Sequence, residues 1–277
     1  MVTIDPGFEI LIGLVGFRGK YQNASGRAIY MGYLILVYVV ALGTTLLVGE
    51  GNLTYSKEIL RQGVIHPKQL VATVFESEDL AYGRYAGMRS TTAALRKQGV
   101  TVLFGIDATS SLGSNTVLQQ KLFKHIQFNY PHHVTAKSED LEPNRKLLTG
   151  FFRQAIPLLE QNGLVRVLLN TNYPFGELKV AAGVNDGDAE EKVQVAAGVN
   201  DWMKGWNIEM CAKEAGLKLL KYKPFKFGDH ILYKPTKGFG KDPSGEWQTG
   251  ESLFYDLQVD WSKPKNANVS SKPSTIL

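Results

Sequence analysis

Only one of the 277 residues is a cysteine, Cys211. A single thiol cannot cross-link the chain internally, and it excludes a metal site built from four cysteines. A reducing compartment follows, with the chain read as intracellular, in the cytoplasm or the nucleus including the nucleolus. Metal ligands are scarce as well. Among five histidines, His132 and His133 are adjacent, and adjacent side chains rarely aim at one ion, so no metal is expected. No secretory leader with a small-residue cleavage site is recognisable, so the glycosylation triplets at Asn23, Asn52 and Asn268 carry no weight. The charge is not strongly one-sided, at a net +5. That permits a nucleic-acid partner without requiring one.

One long uncharged run is present. Residues 28–48 read AIYMGYLILVYVVALGTTLLV. As a whole the run has the length of a membrane span, and Arg18, Lys20 and Arg27 flank it on one side. The alternative divides it into an apolar hairpin or helix over 29–42 and a buried strand over 44–48. A span would have to end before that strand, leaving about 16 residues, on the short side for a crossing. Membrane contact through residues 28–43 therefore stays a minor alternative. Residues 1–43 are read as an apolar extension.

From Leu46 onward apolar runs alternate with helical patterns, the pattern of an α/β sheet. Strands are expected at 44–49, 69–76, 100–107, 125–130, 164–170, 217–225 and 252–261. Helices are expected at 55–62, 79–98, 115–123 and 202–215. A long helix opening at Pro143 is expected to kink at Pro157 and close at Gly163. The run VAAGVND occurs at 180–186 and again at 195–201, a tandem duplication with a 15-residue period. Two copies do not make a solenoid. Residues 177–201 are read as a surface insertion, and 262–277 as a disordered polar tail.

Chemistry-bearing residues fall at the expected strand tips. Val48-Gly49-Glu50-Gly51-Asn52 ends the first strand, and Gly-x-Gly lets a backbone turn sharply and approach a ligand. Glu76 ends the second strand, 25 residues after Gly51, where Rossmann-like sites hold ribose hydroxyls. Asp107 ends the third, followed by Ala108, and a carboxylate there can accept from an adenine amino group. Each carboxylate alone reads equally well as a solvated strand end or a helix cap. The loop lacks a third glycine and any Gly-Lys-Ser/Thr, so nothing is arranged to cradle a pyrophosphate. The pattern suits a nucleoside ligand without phosphates.

After the fourth strand comes Asn129-Tyr130-Pro131-His132. It resembles the Asn/Asp-Pro-Pro-aromatic loop of methyltransferases acting on planar nitrogen. An Asn side-chain oxygen can accept from the target nitrogen and orient its lone pair. An aromatic face can stack on a planar base. His132 can take a proton from an N–H substrate. The plainer reading is a strand-ending turn with a structural histidine pair.

In order, the matching pieces are LLVGEGNLTYS (46–56), VATVFES (71–77), GVTVLFGIDAT (99–109), FNYPHH (128–133), NRKLLTGFFRQAIPLLEQNG (144–163), Tyr173-Pro174-Phe175 and GWNIEMCAKEAGLKL (205–219). Together they resemble the Rossmann-like domain of the ribosomal RNA uridine-N3 methyltransferase family, first known from fungal large-subunit RNA. The resemblance implies a class I methyltransferase: a mostly parallel seven-strand sheet over 44–261, helices on both faces, and S-adenosylmethionine as donor. By motif position it implies that Gly49, Glu50, Gly51 and Asn52 line the donor. Glu76 would hold its ribose, Asp107 and Ala108 would approach its adenine, and Asn129 to His132 would face the acceptor. Three departures lie near the expected acceptor side or the donor rim. Leu53-Thr54-Tyr55-Ser56 replaces a Phe-Ser-Phe-Ser run, Leu168-Leu169-Asn170 replaces a Thr-Leu-Lys-like strand end, and the duplicated insertion separates Pro174-Phe175 from Trp206.

The expected activity is methyl transfer to a nitrogen of a planar acceptor, RNA uridine by resemblance. A small heterocyclic metabolite is the close alternative. A scaffold that kept the fold and lost catalysis, and transfer of another group from the same donor, are the remaining readings. The sequence leaves the oligomeric state open.

Overall fold

The computed structural model describes strands at 9–14, 21–22, 28–29 and 35–40. It describes residues 43–133, 141–170, 205–238, 242, 244–247 and 250–262 more fully. The chain divides into two compact units, Met1–Gly43 and Thr44–Leu277. The repeat segment 177–201 and all but the first residue of the tail 262–277 lie outside the described residues. In the first unit Glu9–Leu14 pairs antiparallel with Ile35–Val40, and Tyr21–Gln22 with Ala28–Ile29. The apolar run thus contributes strands at 28–29 and 35–40. Among the described residues no helix is long and apolar enough to cross a membrane.

The second unit carries seven strands: β1 Thr45–Val48, β2 Leu70–Thr73, β3 Thr101–Leu103, β4 Phe123–Asn129, β5 Leu159–Asn170, β6 Leu217–Phe225 and β7 Ser252–Val259. Their order across the sheet is β6-β7-β5-β4-β1-β2-β3. The five strands from β5 to β3 run parallel, and β7 is antiparallel to both of its neighbours. This is the Rossmann-like, mostly parallel seven-strand sheet that the resemblance implies. The helices are α1 Thr54–Arg61, α2 Glu78–Arg84, α3 Met88–Gln98, α4 Glu142–Ala155 and α5 Ile208–Ala215.

The central strands read as unbroken apolar runs because both faces of a parallel sheet are covered. Alternate side chains of β1 enter opposite cores. Leu46 and Val48 join the cluster with Phe128, Phe151, Phe152 and Trp206, while Leu47 joins Tyr55, Tyr85, Leu95 and Tyr233. Glycines at positive φ end two helices, Gly99 after α3 and Gly216 after α5, a conformation that costs a side chain with a Cβ.

Several expected elements differ in detail. The helix expected over 79–98 is two helices, separated at Tyr85 to Gly87, with Gly87 at φ 74. The long helix stops at Ala155 instead of kinking, since Pro157 sits in a 3-10 turn over Ile156–Leu158 and a strand begins at Leu159. Proline cannot supply the next helical N–H. Gly163 accordingly lies inside β5. There Asn162 takes φ 64, and the pairing with β4 jumps from Phe123↔Leu159 to His125↔Leu164. The expected helix at 115–123 is a 3-10 turn over Leu118–Gln120.

Candidate active site

The parallel strands end along one edge, and that edge collects the residues picked out above. Open α/β sheets bind ligands there. Gly49 follows β1 at φ 64, and a Cβ on it would lie 2.5 Å from the Phe128 ring. Glycine at this position is thus required twice over, by conformation and by the core beneath it. Glu50 continues the ladder through its N–H to the Thr73 carbonyl, at 2.8 Å. Its side chain turns inward, where the carboxylate accepts the N–H and hydroxyl of Ser56, both at 3.0 Å. It therefore caps α1, whose first residues leave unpaired donors. Burial pushes the Glu50 carboxyl up to about 7, against the lowering effect of the two Ser56 bonds. Over Gly51 sit the Tyr85 and Thr236 hydroxyls, 3.2 and 3.4 Å from where a Cβ would be. Asn52 donates to the Lys234 carbonyl (2.7 Å) and accepts from the Thr54 hydroxyl (2.7 Å).

Glu76 is nearly buried, and its Oε1 accepts from both Arg84 and the Tyr85 hydroxyl. The break between α2 and α3 is what brings those two side chains to it. A carboxylate has about four acceptor positions, so this pairing leaves capacity for ribose hydroxyls. The same Arg84 Nη1 donates to the Gly238 carbonyl at 3.1 Å. Asp107 accepts the Thr109 N–H (2.6 Å) and hydroxyl (2.7 Å). Burial raises its pKa, but the hydrogen bonds from Thr109 and Ser110 outweigh that and hold it below the ordinary value. Ala108 is buried beside it. The structure thus brings the tips of β1, β2 and β3 together, with the side chains of Glu50, Asn52 and Asp107 engaged in holding their own loops.

Asn129 is the last residue of β4, level with Leu168 of β5. Its Oδ1 accepts from Gln127 at 2.8 Å, and its buried amide faces the Tyr233 hydroxyl, where it works against the burial that raises the Tyr233 pKa. Tyr130 takes φ 47, donates through its hydroxyl to Ser252 at 2.9 Å, and stacks with Tyr233 at 6.5 Å between ring centres. Beyond it opens a cleft lined by Tyr130, Pro131, His132, Asn170, Trp206 and Trp247 among others. Asn129 is not in that lining, while the next three residues of its motif are. His132 is 6.0 Å from the Trp247 ring. Its pKa is pushed below the ordinary histidine value by burial first, and then by His133. At pH 7 this is a neutral imidazole, able to accept a proton.

Sequence reasoning missed the far wall. Pro235, Thr236, Lys237 and Trp247 all belong to the β6–β7 connection. A short antiparallel ladder holds them: Lys237 N–H to the Gly245 carbonyl at 3.0 Å, Trp247 N–H to the Pro235 carbonyl at 2.8 Å, and the Thr236–Glu246 bridge. No periodicity marks this stretch. Arg84 and Tyr85 were hidden inside what read as one continuous helix. Among the described residues no group of three or more His, Cys, Asp or Glu could hold a metal ion.

The glycines of the β1 loop let the core and the Tyr85 and Thr236 hydroxyls pack close to the backbone, a carboxylate follows β2, and no phosphate-cradling glycine or lysine is built in. Those features fit a nucleoside donor without phosphates. Comparison with known proteins agrees. An uncharacterised Arabidopsis thaliana protein is 25% identical over 217 residues, covering 76% of this chain and 90% of its own. The heavy metal-associated isoprenylated plant protein 41 of the same species is 27% identical, over 77% of this chain and 36% of its own length. The 25S rRNA (uridine(2634)-N(3))-methyltransferase of Saccharomyces cerevisiae is 20% identical, over 84% of this chain and 77% of that protein. The family described as BMT5-like, rRNA (uridine-N3-)-methyltransferase BTM5-like, matches residues 46–237. The chain belongs to that family and is an S-adenosylmethionine-dependent methyltransferase.

Proposed function

We propose that this methyltransferase acts on N3 of uridine in RNA. The observation that carries the reading is His132, a half-buried imidazole held neutral inside an aromatic cleft beside the donor loop. N3 of uracil bears a proton, and the nitrogen becomes a good nucleophile only when that proton has somewhere to go. The yeast relative named for uridine N3 supports the choice of atom.

S-adenosylmethionine, when bound, supplies an electrophilic methyl group that carries its own leaving group. The chain's residues do the rest. Gly49 and Gly51 allow the tight turn that presents the loop backbone to the donor, while Glu50 and Asn52 fix that loop from behind. Glu76 accepts from the ribose hydroxyls. Asp107 and Ala108 form the adenine side. Tyr130 and Pro131 wall the acceptor, His132 takes its proton, and Asn129, held by Gln127 at the end of β4, positions the loop that carries them.

The test is single-turnover methyl transfer from labelled donor, with total RNA and a metabolite extract as competing acceptors. The expected result is label at uridine N3 in RNA, with turnover reduced by roughly 10²-fold in Asn129→Ala while donor affinity holds. Label in the metabolite fraction alone, or full activity of Asn129→Ala, would overturn the reading.

A further inference from the structure

The β6–β7 connection is more than a link between an edge strand and its neighbour. It is pinned at several points to the donor side of the sheet. Gln62 donates to the Asp229 carbonyl at 2.7 Å, and buried Glu58 accepts the Leu232 N–H at 2.7 Å. Asn52 and Thr54 bind Lys234, and Arg84 binds Gly238. Between and beyond these anchors, the Thr236–Glu246 ladder presents Trp247 and Lys237 to the cleft. Trp247 is half-buried against His132, Lys237 is exposed at the cleft's lining, and Trp206 is buried behind.

We infer that this hairpin is a clamp for one unpaired nucleotide, with the base stacked on Trp247 and a backbone phosphate on Lys237. The inference rests on the uridine-N3 reading for its choice of nucleotide. N3 lies on the Watson–Crick edge, so a paired uridine hides the very atom to be methylated. The target must be single-stranded or turned out of its stack, and the stacking energy it loses has to be recovered elsewhere. An indole face offers that to any base, at a value that depends little on sequence. The lysine supplies the counter-charge that a free heterocycle would not need. Because the same hairpin is tied to Asn52 and Arg84, the clamp has a fixed position relative to the Gly49–Gly51 loop.

The probes are a uridine-containing single-stranded oligoribonucleotide, the same oligonucleotide in a duplex, and free uridine. Binding is read by anisotropy of labelled RNA and by competition. Trp247→Ala should weaken single-strand binding about ten- to a hundredfold, while Trp247→Phe keeps most of it. Lys237→Ala should flatten the log–log salt dependence by about 0.7. The duplex and free uridine should both bind much more weakly than the single strand. Wild-type affinity in Trp247→Ala, an unchanged salt slope in Lys237→Ala, or a duplex bound as tightly as the single strand would overturn the clamp. Calorimetric donor binding in the same variants and the site of methyl label keep the two questions apart. Methyl label placed by the wild type elsewhere than on uridine N3 strikes at the uridine-N3 reading, and the RNA measurements still decide the clamp.

Discussion

Glu50 offers a test of the donor loop that needs no ligand. Its carboxyl is pushed from 4.5 to about 7, chiefly by burial. A folded pKa above the unfolded one means the native state prefers the protonated form. The stabilisation is fully present below pH 4.5 and is lost as pH rises through about 7. The gap of roughly 2.5 units corresponds to about 3 kcal/mol at most. Glu50→Gln keeps the volume and a carbonyl oxygen to accept from Ser56, and it does not titrate. Urea unfolding of the two proteins from pH 4.5 to 8.5 isolates the effect, since every other titrating group is common to both. The difference in unfolding free energy should be near zero at the acid end and should favour Glu50→Gln by about 3 kcal/mol at pH 8.5. A difference that stays flat across the range would refute the reasoning, showing that the Glu50 carboxylate is solvated or is compensated by an unidentified cation.

Three further outcomes are expected. Gly49→Ala combines a left-handed backbone with a methyl group driven into the Phe128 ring, and should cost about 2–5 kcal/mol in urea unfolding. Glu76→Ala should weaken donor binding by about 1.5–3 kcal/mol by calorimetry. It should also lower the Tm without ligand, because Arg84 and Tyr85 lose their shared partner. Asp256→Ala removes the carboxylate that binds Arg166 through two bonds, at 2.5 and 2.9 Å, and that is 1% exposed. It should cost about 3–5 kcal/mol, toward the lower end because the Arg166 side chain keeps 24% of its exposure.

How much of this could be read from the sequence depended on how local each signal was. The β1 run and its Gly-x-Gly ending are legible because strand, turn and ligand approach all lie within a few residues. The strand-tip carboxylates are legible by spacing, but not what their side chains hold. Glu50 turns to Ser56 and Asp107 to Thr109, and those are choices of rotamer and loop. The helix at 79–98 misled because its apolar spacing continues across Tyr85 to Gly87, and the break there delivers Arg84 and Tyr85 to Glu76. Pro157 and Gly163 were read as a kink and a stop for one helix. They serve instead to end α4 early and to fit a turn into β5. The cleft's outer wall stayed hidden because its contacts span the chain, as between Asn52 and Lys234, 182 residues apart.

The place of β7 in the sheet has a consequence for how the chain is completed. β6 is made before β7, yet among the described residues its only neighbour in the sheet is β7, which inserts between β6 and β5. Until residues 252–259 have emerged, β6 has nothing to pair with. β5 meanwhile presents an open edge flanked by Val165, Val167 and Leu169. Such an edge is a template for pairing with another chain. The sheet therefore cannot close progressively during synthesis, and a chain stopped anywhere in the β6–β7 connection would carry an adhesive strand edge. Shortened versions ending before Ser252 should aggregate rather than yield a smaller soluble domain.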